Sequence, residues 1–260
     1  MEEDTKKWIY YAVPVAVVIA IGAALYYGRQ QEPPAAPPAA TAPEPAPSAD
    51  PPGIQHPLED AGIPGEEPLP PLAQSDASMQ QSLTATFGRS LEQFLVPNDI
   101  IRHIVVTVDN LPRKKMAVQM WPLKPTAGEL QTSGGEDTVL SEENFARYAP
   151  LITLVEGSDA QHVSGLYRRY YPLFQEAYVN LGYPDGYFND RLVEVIDHLL
   201  ETPDVKGPIK LTNPSVFYEF ADPALEQRSA GQKLLIRMGP RNAALLKAKL
   251  RLLREEIAKQ

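Results

Sequence analysis

The sequence predicts a mainly α fold: a helical bundle with a minor β-hairpin or small sheet, preceded by one transmembrane helix and a disordered Pro-rich stalk. Three observations lead there. Residues 8 to 28 form an uncharged apolar run, 14 of the 27 prolines crowd into residues 29 to 75, and residues 76 to 260 repeat their apolar side chains at steps of three and four. The expected organisation is therefore a cytoplasmic amino terminus at 1 to 7, a span at 8 to 28, a linker at 29 to 75 and a helical domain at 76 to 260.

The run WIYYAVPVAVVIAIGAALYYG has 21 residues and no charge, and a helix of about 20 residues crosses a hydrocarbon core of roughly 30 Å. Trp8, Tyr10 and Tyr11 mark one end and Tyr26 and Tyr27 the other, at the headgroup levels that amphipathic rings prefer. A cleaved signal peptide is the competing reading, with Gly22 and Ala24 before a cut after Ala24. The apolar run continues through Leu25, Tyr26 and Tyr27, which favours an uncleaved anchor. Lys6, Lys7 and the amino terminus outnumber Arg29 beyond the span, so the amino terminus is expected in the cytoplasm and the rest outside. In a bacterium this means a single-pass inner-membrane protein with a periplasmic carboxy-terminal domain.

Residues 29 to 75 mix proline with Ala, Glu and Asp and lack the apolar side chains that offset chain ordering. One basic and seven acidic residues give this segment most of the chain's net charge of -9. Acidity is thus a property of the stalk and says little about ligands. The absence of cysteine excludes disulfides, thiolate metal sites and a cysteine nucleophile, and fits an oxidising compartment.

In the domain, Leu83, Phe87, Leu91 and Phe94 set the first helix, at Ser82 to Leu95, ended by Pro97. Asn98 is placed to cap a second, Asp99 to Leu111, with Ile100, Ile104, Val108 and Leu111 on one stripe; the β-branched run Ile104 to Val108 leaves a strand as the alternative. Met116, Val118 and Met120 alternate like a short strand, and Ile209, Leu211 and Val216 to Tyr218 supply segments to pair with it. A helix after Ser141 turns Phe145, Tyr148, Ile152 and Val155 inward. The clearest unit is a helix hairpin, Asp159 to Leu181 and Tyr187 to Leu200, joined by the turn Gly182 to Gly186. Asp222 and Pro223 open a helix to about Met238, and Gly239 and Pro240 separate it from the last, which ends at Ala258.

That last helix carries Leu246, Leu250, Leu253 and Ile257 at steps of four, three and four. Residues 228 to 260 hold nine bases and two acids, against 12 bases and 21 acids in residues 76 to 227. The tail is expected to fold onto the acidic body; self-association through a coiled-coil seam or docking of a partner is the second reading, and an anionic surface the third. Nucleic acid is not expected outside the cell.

Chemical signatures are sparse. Glu194, His198 and Glu201 share a helix face that metal ligands use, but a salt-bridged solvated face explains them equally, and neither metal nor cofactor is predicted. Ten of the 21 aromatic residues fall between Phe145 and Phe188, where interhelical packing competes with a peptide or glycan groove. The candidate binding residues are Arg168, Arg169, Tyr170, Asp109 and Asp190, with the two arginines suited to an acidic partner group.

The stretches IVVTVDNLPR (104 to 113), LYRRYYPLFQEAYVNLGYPDGYFNDRLVEVIDHLLETP (166 to 203) and VFYEFADPALEQRSAGQKLLIRMGPRNAALLKAKLRLLRE (216 to 255) resemble a proteobacterial family of anchored proteins known as domain of unknown function three thousand and fourteen. The resemblance spans most of residues 80 to 258 and implies an envelope protein with an amino-terminal anchor. It brings no catalytic residue, cofactor or substrate. The expected function is a noncatalytic interaction or scaffold domain whose partners are the bilayer and an envelope protein or polymer; the alternative is an enzyme acting on peptidoglycan or another polymer.

Overall fold

Helix boundaries in this chain follow local chemistry. The longest helix, Ala160–Asn180, begins where the Asp159 carboxylate accepts the N–H groups of Gln161 and His162 at 2.9 and 3.0 Å, which satisfies two of the four donors a helix start leaves unpaired. The same hydrogen bonds, that from His162 foremost, hold the Asp159 carboxyl below its ordinary pKa. The computed structural model describes residues 53–58, 68–115, 118–126, 130–134, 138–214 and 218–258. The chain divides after Asp50, and every described residue belongs to the second unit, Pro51–Gln260. The expected span at 8 to 28 lies outside the described residues, among which no helix is long and apolar enough to cross a membrane.

Among the described residues the helices are α1 (Asp76–Phe87), α2 (Ile100–Asn110), α3 (Glu143–Arg147), α4 (Ala149–Gly157), α5 (Ala160–Asn180), α6 (Phe188–Leu200), α7 (Pro223–Glu226), α8 (Ala230–Arg237) and α9 (Pro240–Ile257). Two small antiparallel sheets join β1 (Thr132–Ser133) to β2 (Val139–Leu140) and β3 (Leu211–Thr212) to β4 (Glu219–Phe220). The fold is thus mainly helical, and α5, α6 and α9 form its centre, with α2 and α4 packed beside them.

One apolar cluster fills that centre. Ile100, Ile101 and Val105 of α2 meet Tyr167, Tyr170 and Phe174 of α5, Phe188 and Ile196 of α6, and Ile257 of α9. Each fully buried aliphatic or aromatic side chain stabilises by roughly 1.5–3 kcal/mol. The aromatic concentration is therefore core: Phe174 stacks on Phe188 at 5.9 Å and Tyr178 on Tyr183 at 4.6 Å. A second cluster, Leu140, Ile209, Leu211, Phe220 and Ile236, lies under the sheets, and a third, Val195, Leu199, Leu235 and Met238, joins α6 to α8.

Several expectations are corrected. The first helix breaks at Gly88, where φ is +86°, and a 3-10 turn, Arg89–Gln93, carries Leu91 inward instead. Residues 100 to 110 are helix, but Asp99, at φ 51°, occupies the capping position with no cap from its own side chain. Val118–Met120 is a 3-10 turn, so the β segments pair elsewhere: β3 meets β4, and the Leu140 N–H reaches the Ile209 carbonyl at 2.9 Å. The helix opened by Pro223 ends at Glu226, and Ser229 caps a new one. Ordered packing also begins before residue 76, because Leu58, Leu69 and Leu72 add apolar side chains to the central cluster.

The last helix folds onto its own domain. Lys247 is buried and donates to the Thr202 carbonyl at 2.5 Å and to Asp204 at 2.8 Å. Arg254 holds Asp197 with two hydrogen bonds, at 2.5 and 2.8 Å. Leu250, Leu253 and Ile257 join the central cluster, so the stripe considered for a seam between copies is used within the chain.

Candidate functional site

The first turn of α6 is fixed from α5 before it touches anything else. Gln175 accepts the Phe188 N–H at 2.8 Å through Oε1 and donates to the Gly186 carbonyl at 2.7 Å through Nε2. Tyr171 donates to the same Gln175 oxygen at 3.0 Å. Burial, and then its hydrogen bond with Tyr187, push the Tyr171 phenol well above its ordinary pKa, so it stays protonated. Tyr187, Asn189 and Asp190, on either side of Phe188 in the chain, are thereby presented in a set geometry.

They hold residues 53–58 mainly by the main chain. The two oxygens of Asp190 accept the N–H groups of Gln55 at 3.0 Å and His56 at 2.7 Å. Tyr187 Oη accepts the Leu58 N–H at 2.9 Å, and Asn189 donates to the His56 carbonyl at 2.8 Å. Asn189 is fully buried; its other N–H reaches the Ile257 carbonyl at 2.9 Å, and its oxygen accepts from Tyr167 at 3.2 Å. Every polar group of this amide side chain is used, as burial requires. Leu58 packs on the central cluster, whereas Ile54 remains 55% exposed.

Open clefts flank the segment. One, of about 400 Å³, is lined by His56, Asp190, Glu194, Asp197, His198 and Glu201. The other, of about 310 Å³, includes Gly53, Tyr178, Asp185, Tyr187 and Arg191. Gln55, Asp190 and Glu194 border both. The walls are rich in carboxylates. Two of these are matched: Asp197 by Arg254, and Glu194 by Arg191 at 2.9 Å.

The five residues singled out in the sequence serve different places. Asp190 is central to the groove. Asp109, only 2% exposed, binds Arg191 at 3.1 Å and Arg113 at 2.5 Å and accepts from Tyr183 at 3.2 Å. Arg168, suggested for an acidic partner, donates instead to the main-chain oxygen of Glu256, where a helix end leaves carbonyls unpaired and favours a cation. Arg169 lies 6.0 Å from the ring centre of Tyr170, and the buried Tyr170 hydroxyl bonds Ser78 at 2.5 Å and Ser82 at 3.0 Å. Asp109 pairs with Arg191, which lines one cleft together with Asp190, while Arg168 caps a helix end and Tyr170 lies in the core.

Tyr187, Asn189 and His56 were not singled out. Asn189 had a visible signal, a polar residue beside Phe188 on an otherwise apolar stripe; His56 had none, because it sits in the stalk composition. The arrangement closest to a nucleophile and base is Ser229 Oγ, 2.8 Å from His198 Nε2. That hydroxyl is buried and accepts the Gln232 N–H at 3.2 Å, which makes it a helix cap. Glu194, His198 and Glu201 line one cleft, yet among the described residues no group of three or more acidic or histidine side chains is placed to hold a metal ion.

The family comparison covers most of the helical body. Residues 100–254, from the start of α2 to the last turns of α9, match the model described as protein of unknown function (DUF3014). The chain belongs to this family. No curated protein and no solved structure matches it. The groove at Tyr187, Asn189 and Asp190 lies inside the family domain, whereas the segment it holds, residues 53–58, lies before it.

Proposed function

We propose that this chain is a single-span protein of the bacterial inner membrane whose carboxy-terminal domain is a noncatalytic interaction or scaffold module facing the periplasm. The anchor is residues 8 to 28, which meet the bilayer, and the Pro-rich residues that follow act as a spacer. Residues 53–58, within the stretch expected as linker, pack against α6. The expected partner is an envelope protein or polymer, with no role for nucleic acid.

The observation that carries the binding reading is the Asp190 clamp. A carboxylate, an amide and a phenol are spent on the main chain of a short irregular segment that bends at Gln55 and His56, which is recognition chemistry. The Ser229 hydroxyl that faces His198 is committed to a helix cap.

Two measurements test this function. A reporter fused after Gln260 is expected to be active only in the periplasm, and the chain is expected to resist a wash that strips peripheral proteins. Degradation of cell-wall material by the purified chain, abolished by a carboxylate substitution on α6, would establish the enzyme reading instead.

A further inference from the structure

We propose that the groove over Tyr187, Asn189 and Asp190 is a peptide-binding site that residues 53–58 occupy in cis, and that its ligand in trans is a peptide with a bend at the N–H pair held by Asp190, basic flanks and an aliphatic side chain two residues beyond that pair. This deepens the interaction-module reading and rests on it.

The form of the ligand comes from the segment already seated there. Asp190 binds two consecutive N–H groups, Asn189 binds the carbonyl of the second residue, and Tyr187 binds the N–H two residues later. None of these four bonds reads a side chain, so the groove requires a backbone bent as at Gln55 and His56, which turns two consecutive N–H groups to one carboxylate, and a free N–H at each of three positions. Leu58 packs its side chain on the central apolar cluster, and His56 is the other partly buried side chain of the segment.

The cis occupant fits imperfectly. His56 Nδ1 is buried with no hydrogen-bond partner among the described residues, a burden of about 1–3 kcal/mol for an unsatisfied polar atom. Ile54 stays mostly in solvent and adds little apolar burial. Charge also opposes the fit: the sequence is acidic at Asp50 before the segment and at Glu59 and Asp60 after it, while Asp185 and Glu201 line the clefts on its two sides. Connection through the chain offsets these defects by supplying a high effective concentration, typically millimolar for short tethers. A partner peptide with lysine or arginine in place of those acids meets the opposite charge and displaces the segment.

The test uses the full chain in detergent micelles and two fluorescent peptides followed by anisotropy. One carries residues 51 to 60, PPGIQHPLED; the other carries the same core with lysine flanks, KKGIQHPLKK. The lysine-flanked peptide is expected to bind about tenfold more tightly at low salt, and to lose most of that advantage at ~0.5 M salt, where screening shortens the reach of charge. Gln55→Pro removes one of the two N–H groups that the cis segment gives to Asp190, and is expected to raise affinity for the added peptide several-fold. Asp190→Ala is expected to weaken it at least tenfold; Tyr187→Phe, the milder change, weakens it in parallel if Asp190→Ala does not fold.

Unchanged binding in folded groove variants would overturn the site, and an unchanged affinity in Gln55→Pro would overturn cis occupancy. Equal affinity for the two peptides would overturn the charge assignment. Co-isolation of two differently tagged full chains, lost in Asp190→Ala, would overturn the partner peptide in favour of a second copy's own segment. Peptide binding by purified protein is independent of location, so its failure is distinguishable from a failure of the periplasmic topology.

Discussion

The carboxylate of Asp76 accepts the N–H of Ile100 at 2.9 Å, so α1 supplies the cap that α2 lacks in its own sequence. The second oxygen takes the Asp99 N–H at the same distance. Asp99 is held at φ 51°, a left-handed conformation uncommon for a residue with a side chain. Asp76→Ala is expected to destabilise the domain by about 1–2 kcal/mol, the range for a lost cap. Asp76→Asn, which keeps one acceptor, is expected to lose less. Urea unfolding followed by circular dichroism measures both; equal stability of Asp76→Ala and the native chain would remove the capping role.

Buried Asp109 pairs with the half-buried Arg191, and Arg113 adds from the surface. Asp109→Ala takes one carboxylate from Arg191, which keeps Glu194, and is expected to cost about 1–3 kcal/mol. Arg113→Ala is expected to cost under about 1 kcal/mol, because that side chain is 54% exposed. The contrast between the two in thermal unfolding is the measurement.

Lys247 sits 7% exposed with its ammonium on the Thr202 carbonyl. Lys247→Met removes the charge and leaves that carbonyl without this donor, with an expected loss of about 1–3 kcal/mol. Asp204, the other partner, is 79% exposed, so Asp204→Ala is expected to change the unfolding midpoint little.

Gly239 turns the chain into α9 at φ +86°, and a Cβ there would lie 2.5 Å from Cγ of Phe145. Gly239→Ala therefore combines left-handed strain with a clash, at an expected cost of about 2–4 kcal/mol. Gly88→Ala has the same sign of φ and nothing within 4 Å, so it is expected to cost only the roughly 1 kcal/mol of conformation. Expression and melting temperature of the two variants separate crowding from backbone strain.

Acid should weaken the sheet end through Glu226. Burial works to raise its pKa, but hydrogen bonds from Lys233 and from the Phe220 N–H outweigh it and hold the carboxyl below its ordinary 4.5. The ionised form is favoured on folding, so its contribution is present above pH 4.5 and is lost as pH falls through the lower folded value. Glu226→Gln is expected to be less stable than the native chain near neutrality by a few tenths to about 1 kcal/mol, the scale for a partly exposed pair. The gap should close on acidification, as chemical unfolding at several pH values would show.

The helix hairpin, the turn at Gly182 to Gly186 and the inward Leu250, Leu253 and Ile257 were legible because apolar periodicity and punctuating residues are local signals. The cap on α2 was not, since Asp76 acts across a long stretch of sequence and nothing near Ile100 reveals it. The sheets were misplaced for a related reason: strands of two residues carry almost no pattern, and Leu140 finds Ile209 only through the fold. Asp190 was picked as a binding residue, but its ligand segment hid inside a proline-rich stretch. There, composition describes the whole and conceals the six residues that pack.

Asn189 donates to His56 with one N–H and to Ile257 with the other, so a single amide gathers the beginning and the end of the described domain. The domain is wired as a closed circuit, entered and left at one junction. Cargo fused behind α9 would start beside the entry point, so a dye pair on residues 54 and 258 would stay close while this amide is engaged and separate when the junction opens.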